Sequence, residues 1–264
     1  MKKILILFTA ILPLCLFAQN IKPRNINASK IIGSDTTIST PFFATNAGWT
    51  IPFGEMGNRY TSFFNVNADL GWKTINNWLI LIDFGFQFGS NNIKHMKDYL
   101  SSLYTNGANP IIVGTDGTDA GVIAYNRNLS LSLSFGKIFP ITTKNPNSGI
   151  ETSFALGFLQ HQIIYEATQS RVLQLEGNYK YLYDRQMRGP MTGLFIGYRH
   201  ISKSSYANWF AGIDWKIAFT KMTRDFQADL KGGDSKLYTD HMITIKIGWM
   251  FPFFGRSADK IYYY

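Results

Sequence analysis

From residue 41 onward, the chain alternates between apolar residues and polar or small ones. In the segment 129–136, for example, Leu129, Leu131 and Leu133 are separated by serines. A period of two residues predicts a β-strand with two unlike faces. Segments with this pattern predict eight antiparallel strands, at about 41–53, 64–72, 78–89, 129–136, 149–165, 190–201, 209–220 and 243–253.

The charge on the two faces of these strands distinguishes a membrane barrel from a soluble β-sandwich. The apolar face carries almost no charge over its central stretch, whereas the other face carries charged residues in mid-strand. In a bilayer barrel, the apolar face contacts lipid and the polar face lines the interior. We therefore predict an all-β fold, an eight-stranded antiparallel transmembrane β-barrel. Because lone charges in such an interior are costly, we expect an ion-paired network of Asp69, Asp83, Glu151, Arg199, Asp214, Lys216 and Lys246.

The connections between the predicted strands alternate in length. The short ones lie near 74–77, 139–148 and 202–207, and the long ones near 90–120, 166–189 and 222–238. Outer-membrane barrels have short periplasmic turns and long outer loops. With eight strands, both termini then lie in the periplasm. The alternative is a ten-stranded barrel, with an extra strand pair within 90–120 or 166–189.

The composition agrees with this fold class. Charged residues make up 16% of the 264 residues, against roughly 25% in an ordinary soluble domain. Aromatic residues also make up 16%. Beyond the extreme N-terminus, no apolar run reaches the about 20 residues that a membrane helix needs, so a polytopic helical membrane protein is excluded.

The N-terminus resembles a secretory signal. Lys2 and Lys3 precede an apolar stretch that ends near the small residue Ala18. The expected organisation is a signal peptide at 1–18, a periplasmic segment at 19–40, the outer-membrane barrel at 41–254 and a periplasmic tail at 255–264. Cys15 is the only cysteine, so the mature chain has no disulfide, thiol nucleophile or cysteine-bound zinc.

Several short motifs carry a family resemblance. They are Asn76-Asn77-Trp78-Leu79, Asn145-Pro146-Asn147-Ser148-Gly149, Gly157-Phe158-Leu159-Gln160-His161, Leu175-Glu176-Gly177-Asn178-Tyr179, Tyr183-Asp184-Arg185, Gly248-Trp249 and Asp259-Lys260-Ile261-Tyr262-Tyr263-Tyr264. With these motifs the chain resembles the uncharacterised small outer-membrane barrel proteins of the Bacteroidota, over most of residues 41–264. The resemblance implies the fold and the location, and it implies no activity.

Catalysis on a small barrel would require a nucleophile and a base close together near the membrane edge. His200 and Ser202 have a suitable spacing, but they fall at the predicted periplasmic end. His161 faces inward near the outer end, where the sequence indicates no partner for it. Asp240 and His241 are adjacent and point to opposite faces. We therefore expect a non-catalytic protein without a cofactor or a metal, and a lipid-modifying enzyme or a narrow channel is the alternative.

The remaining candidates are interaction residues. The loop 166–189 is rich in aromatic and arginine side chains, which are favoured at protein interfaces: Tyr179, Tyr181, Tyr183, Arg185 and Arg188. The tail offers Arg256, Lys260, Tyr262, Tyr263 and Tyr264. Residues Ile93, Met96, Leu100 and Leu103 have helical spacing and predict a short amphipathic helix over the barrel mouth.

Charge is distributed unevenly between the two predicted ends. The long loops balance acidic and basic residues, whereas the periplasmic side is basic through Lys22, Arg24, Lys30, Lys73, Lys137, Lys144, Lys203, Arg256 and Lys260. Basic residues at a membrane surface attract anionic headgroups. The sequence thus predicts an accessory or scaffold subunit that contacts outer-membrane lipids and other outer-membrane or periplasmic proteins. Nucleic acid is not expected as a partner in this compartment.

Overall fold

The computed structural model of the chain describes residues 37–202 and 207–253. The predicted signal peptide (1–18), nearly all of the segment 19–40 and the predicted tail (255–264) lie outside the described residues. The tail candidates Arg256, Lys260, Tyr262, Tyr263 and Tyr264 therefore lie outside them as well.

The described residues form a closed antiparallel barrel. Its strands are β1 (Thr40–Phe53), β2 (Phe63–Lys73), β3 (Trp78–Ser90), β4 (Val122–Pro140), β5 (Gly149–Ala167), β6 (Met187–His200), β7 (Trp209–Met222) and β8 (Tyr238–Pro252). Each strand pairs with the next, and β8 pairs with β1. The prediction of an eight-stranded antiparallel barrel is confirmed, and the ten-stranded alternative is not realised.

The segments that a ten-stranded barrel would have used contain short helices instead. The connection 91–121 carries the helix α2 (Met96–Tyr99), and 168–186 carries two 3₁₀ turns at Leu173–Leu175 and Tyr179–Leu182. A further helix, α1 (Gly54–Arg59), lies between β1 and β2. None of the helices in the described part of the chain has the length and hydropathy needed to cross a membrane.

Over its central stretch, the outward face of every strand is apolar and exposed. Each strand leaves at least one large aliphatic side chain more than half exposed: Ile51, Leu70, Ile82, Leu131, Leu156, Ile196, Ile213 and Ile245. Soluble monomers rarely expose apolar patches larger than a few hundred Å². A continuous apolar belt around a closed barrel is the surface of a protein that lies in a lipid bilayer.

The two ends of the barrel differ. At the short-turn end, strands are joined by 74–77, 141–148 and 201–208, and β1 begins and β8 ends there. At the long-loop end, the connections 54–62, 91–121, 168–186 and 223–237 pack together, and we call them the cap. Strands β4 and β5 each have 19 residues, about twice what a bilayer crossing needs, so they extend beyond the belt into the cap.

The interior is built in three layers. An apolar cluster of Phe42, Leu79, Leu81, Ile138, Phe195, Phe210 and Met250 closes the short-turn end. A polar and charged layer lies above it. A second apolar cluster joins the cap to the inward side chains of the upper strands and includes Met56, Tyr60, Leu100, Leu159, Ile163, Val172, Tyr183 and Met242.

The basic periplasmic group predicted from the sequence needs one correction. Lys73 is fully buried and points into the barrel, because the inward positions of β2 are odd-numbered. Its ammonium group donates to the carbonyl of Ile38 and to Oδ1 of Asn147, each at 2.9 Å. Lys73 therefore anchors the chain at the short-turn end and does not contribute to the basic surface.

The lower apolar cluster depends on a close approach at Gly71. A Cβ atom at this position would overlap the buried ring of Phe42. We expect Gly71→Ala to destabilise the barrel by about 1–3 kcal/mol, because overpacking forces a buried ring and the nearby backbone to move. Equilibrium urea unfolding of the protein in lipid vesicles, followed by tryptophan fluorescence, measures this change.

The matched control for this prediction is Gly232→Ala in the cap, where the nearest atom to an added Cβ is the carbonyl oxygen of Leu230, at 4.0 Å. We expect its free energy of unfolding to stay within about 0.5 kcal/mol of the wild type. Equal stability of the two variants would contradict the tight packing at Gly71.

Candidate functional site

All seven charged residues singled out from the sequence line one small cavity in the middle layer. The cavity has a volume of about 30 Å³, enough for about two water molecules. Strands β2, β3, β5, β6, β7 and β8 contribute Asp69, Asp83, Glu151, Arg199, Asp214, Lys216 and Lys246 to its walls. The structure therefore brings together residues that are far apart in the chain.

Arg199 and Glu151 form a two-point ion pair on neighbouring strands. Nε of Arg199 donates to Oε2 of Glu151 at 2.5 Å, and a terminal nitrogen donates to Oε1 at 3.1 Å. The guanidinium carbon lies 4.4 Å from the centre of the Phe210 ring. A planar guanidinium satisfies a carboxylate at two points while stacking on an aromatic ring, so this pair tolerates its almost complete burial.

The other charges form a second group around two lysines. Lys246 donates to Asp214 at 3.0 Å, and Lys216 lies 3.5 Å from Asp214 and 3.8 Å from Asp83. Asp69 faces Asp83 across the β2–β3 pairing and accepts from Nδ2 of Asn46 at 3.1 Å. Four carboxylates and three cations thus lie in this layer. Lys216 links Asp83 to Asp214, because it lies close to both carboxylates.

The cavity lies between the two apolar clusters. The side chains of the lower cluster close it toward the short-turn end, and those of the upper cluster close it toward the cap. Eight strands leave an interior just wide enough for side chains to fill. In the charged layer, the side chains leave a cavity of only about 30 Å³.

A second buried polar group lies where the barrel meets the cap. Nδ1 of His161 is 3.0 Å from the hydroxyl of Tyr60, and Nε2 is 3.1 Å from Oδ2 of Asp240. Thr220 donates to the same carboxylate oxygen at 2.6 Å. Burial raises the pKa of Tyr60. A carboxylate can only accept, so Nε2 of His161 donates to Asp240.

The hydrogen bonds of His161 to Tyr60 and Asp240 were not predicted from the sequence. His161 was predicted to face inward, but no partner was predicted for it, because Asp240 lies on β8, which is not a neighbour of β5 in the sheet. The two side chains meet across the lumen, because the closed ring of eight strands is narrow. His161 and Asp240 are both fully buried, and the hydroxyl that contacts the His161 ring is that of Tyr60, which is buried as well. These hydrogen bonds join Tyr60 of the cap to β5, β7 and β8 of the barrel.

His200 of the candidate pair His200 and Ser202 belongs to the outer wall. It lies on the outward face of β6, with its ring 5.9 Å from that of Trp209. No group of three or more histidine, cysteine or acidic side chains that could hold a metal occurs within the described ranges.

The structure separates the five interaction candidates predicted near the loop 168–186 into a set that packs within the cap and a set that is exposed. Tyr183 is buried in the upper apolar cluster, and Arg185 pairs with Asp229 and lies 4.3 Å from the centre of the Tyr99 ring. The interpretation of these two residues as interaction residues is therefore corrected. Their side chains already contact other residues of the cap and pack within it. Tyr179, Tyr181 and Arg188 are exposed.

The amphipathic segment predicted at Ile93–Leu103 lies in the cap. It contains α2 at its centre, and Leu100 is fully buried while Ile93, Met96 and Leu103 pack against the upper cluster. The helix is only one turn long, and the chain beyond it turns back at the bridge between Tyr104 and Ile112.

Comparison with known proteins yields structural likeness only. No protein-family model matches the chain, and no curated protein matches it. Among solved structures, the chain is similar to Ail, the attachment invasion locus protein of Yersinia pestis, in complex with the heparin analogue sucrose octasulfate, at 7% identity and a TM-score of 0.42. That match covers 81% of this chain and 99% of Ail.

Two further structures come from Pseudomonas aeruginosa. The N-terminal β-barrel domain of OprF matches at 11% identity and a TM-score of 0.36, covering 81% of this chain and 100% of that domain. OprG matches at 12% identity and a TM-score of 0.32, covering 83% and 99%. Values this low transfer no ligand or activity, and the barrel assignment rests on the strand pairing of the chain itself.

The Arg199–Glu151 pair yields a stability prediction. We expect Glu151→Gln to destabilise the barrel by about 3–5 kcal/mol, because it leaves a buried guanidinium without its counter-charge. The double variant Glu151→Gln, Arg199→Met is expected to recover most of the loss, since it removes both charges. Urea unfolding in lipid vesicles measures all three proteins. A single variant as stable as the wild type would contradict the buried pair.

The sealed interior predicts a negative result in planar bilayers. The purified protein is expected to insert without stepwise conductance, because apolar side chains close the barrel on both sides of the charged layer. A general diffusion porin inserted under the same conditions serves as the positive control. Reproducible conductance steps from the folded protein would contradict the sealed interior and favour the channel alternative.

Proposed function

We propose that this protein is a non-catalytic outer-membrane anchor whose cap binds another envelope protein. In this proposal the barrel holds the cap at a fixed height above the membrane, and the cap supplies the binding surface. The observation that carries the proposal is a cap that is packed onto the barrel through the upper apolar cluster and nevertheless exposes large apolar side chains.

The exposed side chains lie on two loops that touch each other. Tyr179, in the loop 168–186, is 66% exposed, and Phe226 and Leu230, in the loop 223–237, are each 46% exposed. The backbone amide of Ala228 donates to the carbonyl of Leu182, which joins the two loops. Exposed apolar clusters outside the bilayer mark protein interaction sites, and tyrosine is enriched at their hot spots.

Ion pairs fix the relative position of these two loops. Arg185 pairs with Asp229, and Nε of Arg224 donates to Asp184 at 3.0 Å. The guanidinium of Arg224 also lies 4.3 Å from the centre of the Tyr181 ring. A preorganised surface loses little conformational freedom when a partner binds. The ion pairs that hold these two loops together therefore support a role of the cap in binding a partner.

The proposed orientation places the cap outside the cell and both termini in the periplasm. Short turns at one end and long connections at the other support this orientation. On this view, the second contact surface is the basic short-turn end, together with the tail residues Arg256, Lys260, Tyr262, Tyr263 and Tyr264. An acidic periplasmic protein would fit that charge.

The test is a pull-down of the tagged full-length protein from native outer membranes in mild detergent, with quantitative mass spectrometry. We expect a stoichiometric partner that the triple variant Tyr179→Ala, Phe226→Ala, Leu230→Ala loses by at least tenfold. The reason is that the variant removes the exposed apolar contacts and leaves the cap core in place.

The matched control carries Ile111→Ala and Val113→Ala, which truncate exposed apolar residues of the cap in the connection 91–121, outside the two loops proposed to bind. It is expected to retain the partner at wild-type level. Heat-modifiable gel mobility checks that each variant forms a folded barrel. Purification of the wild-type protein alone, or equal recovery of the partner by the triple variant, would overturn the proposal.

A further inference from the structure

A row of basic side chains crosses the outer wall of the barrel at the long-loop end. Arg127, Arg188 and Lys221 lie on β4, β6 and β7, and all three are exposed on the outward face. Arg188 is directly opposite Lys221 in the β6–β7 pairing, and Gln160 of β5 is directly opposite Arg188. Arg127 is opposite Gln162, two residues further along β5.

These cations lack acidic partners among the described residues. Arg127, Arg188 and Lys221 form none of the ion pairs found there, and Arg127 only approaches the ring of Tyr125, at 5.3 Å. Like charges directly opposite each other on neighbouring strands are destabilising. An anion between Arg188 and Lys221 would remove this repulsion.

Nearby acidic side chains do not supply that anion. Glu166 lies on the same wall, further toward the end of β5, and accepts from the hydroxyl of Tyr125 at 2.9 Å. Asp184 is paired with Arg224. Both carboxylates therefore have other partners, and the counter-ion for Arg188 and Lys221 has to come from outside the described chain.

The height of the row points to a lipid headgroup. Leu129 on β4, Phe158 on β5 and Phe219 on β7 are exposed members of the apolar belt. Each lies two residues below Arg127, Gln160 and Lys221 respectively, which corresponds to about 7 Å along a strand. The row therefore sits just above the acyl-chain region, at the level of phosphate groups.

A recess lies beside this row. It has a volume of about 450 Å³ and lies between the end of β5, the start of β6 and the cap. Its walls include Gln160, Gln162, Gln186, Lys180, Arg188 and Arg224. Nε2 of Gln186 donates to Oε1 of Gln162 at 2.9 Å, which orients these two amides. Amide groups both donate and accept hydrogen bonds, as the hydroxyl groups of a sugar require.

We infer that this recess and the adjoining row bind the headgroup of a phosphorylated glycolipid in the leaflet at the long-loop end. Arg188 and Lys221 would bind a phosphate, and Lys180 and Arg127 would flank it. The glutamine amides would contact sugar hydroxyls, and the acyl chains would lie along Phe158 and Phe219. Arginine is well suited to hold phosphate through two parallel hydrogen bonds.

The inference uses the membrane placement of the barrel and does not depend on a protein partner for the cap. It is tested with the purified full-length protein in a neutral detergent, titrated with diphosphorylated lipid A and followed by native mass spectrometry. The double variant Arg188→Gln, Lys221→Gln is expected to bind lipid A at least tenfold more weakly. The control Lys137→Gln, on the outward face of β4 at the short-turn end, is expected to stay within twofold of the wild type.

The choice of lipid distinguishes phosphate recognition from sugar recognition. The wild type is expected to bind dephosphorylated lipid A and phosphatidylglycerol each at least tenfold more weakly than lipid A, and its lipid A affinity should fall as sodium chloride is raised. These comparisons use only the wild-type protein, so they stand even where a variant fails to fold.

Three results would overturn the inference. They are unchanged binding by a folded double variant, equal binding of the dephosphorylated lipid, and displacement of lipid A by an equal concentration of phosphatidylglycerol. None of them bears on the pull-down of a protein partner, so failure of the lipid site and failure of the cap as a protein-binding surface are distinguishable.

Discussion

The pairing of β1 with β8 is the interaction on which the rest of the structure depends. In a bilayer, every backbone donor and acceptor needs a partner within the protein, and only closure of the sheet removes its two edges. The register runs from Phe42 opposite Pro252 to Phe53 opposite His241. Once the ring is closed, alternation sends one face of every strand to lipid and the other into a lumen of fixed width.

That fixed width explains how the interior accommodates charge. Side chains from opposite walls reach each other, so Asp83 and Asp214 share Lys216 although β3 and β7 are not neighbours. Aromatic rings and methionine fill the remaining space at the short-turn end, and the cap fills it at the other end. A lumen packed in this way contributes stability and a rigid shape. Ligands or partners are left with the surfaces that face water or the headgroup region.

Periodicity was sufficient to predict the fold, because a period of two repeats in every strand and marks the lipid side directly. It also identified all seven charged side chains around the inner cavity, since mid-strand charges stand out against an apolar belt. It could not predict contacts across the lumen, such as that between His161 and Asp240, because these depend on the barrel's circumference. The packing of Tyr183 and Arg185 within the cap depends on how the loops fold, for which the sequence carries no periodic signal.

The cap and the basic wall are parts of one structure, because the loop 168–186 belongs to both. Lys180 lines the recess beside the row of cations, and Tyr179 next to it is the most exposed aromatic residue of the cap. The ion pair of Arg224 with Asp184 lies in the wall of the recess and also joins the two loops proposed to bind a partner. A phosphorylated headgroup held by Lys180 and Arg188 would therefore restrain the same loop that presents Tyr179. Such restraint lowers the entropic cost of binding a protein, so lipid and partner would bind the cap with positive cooperativity.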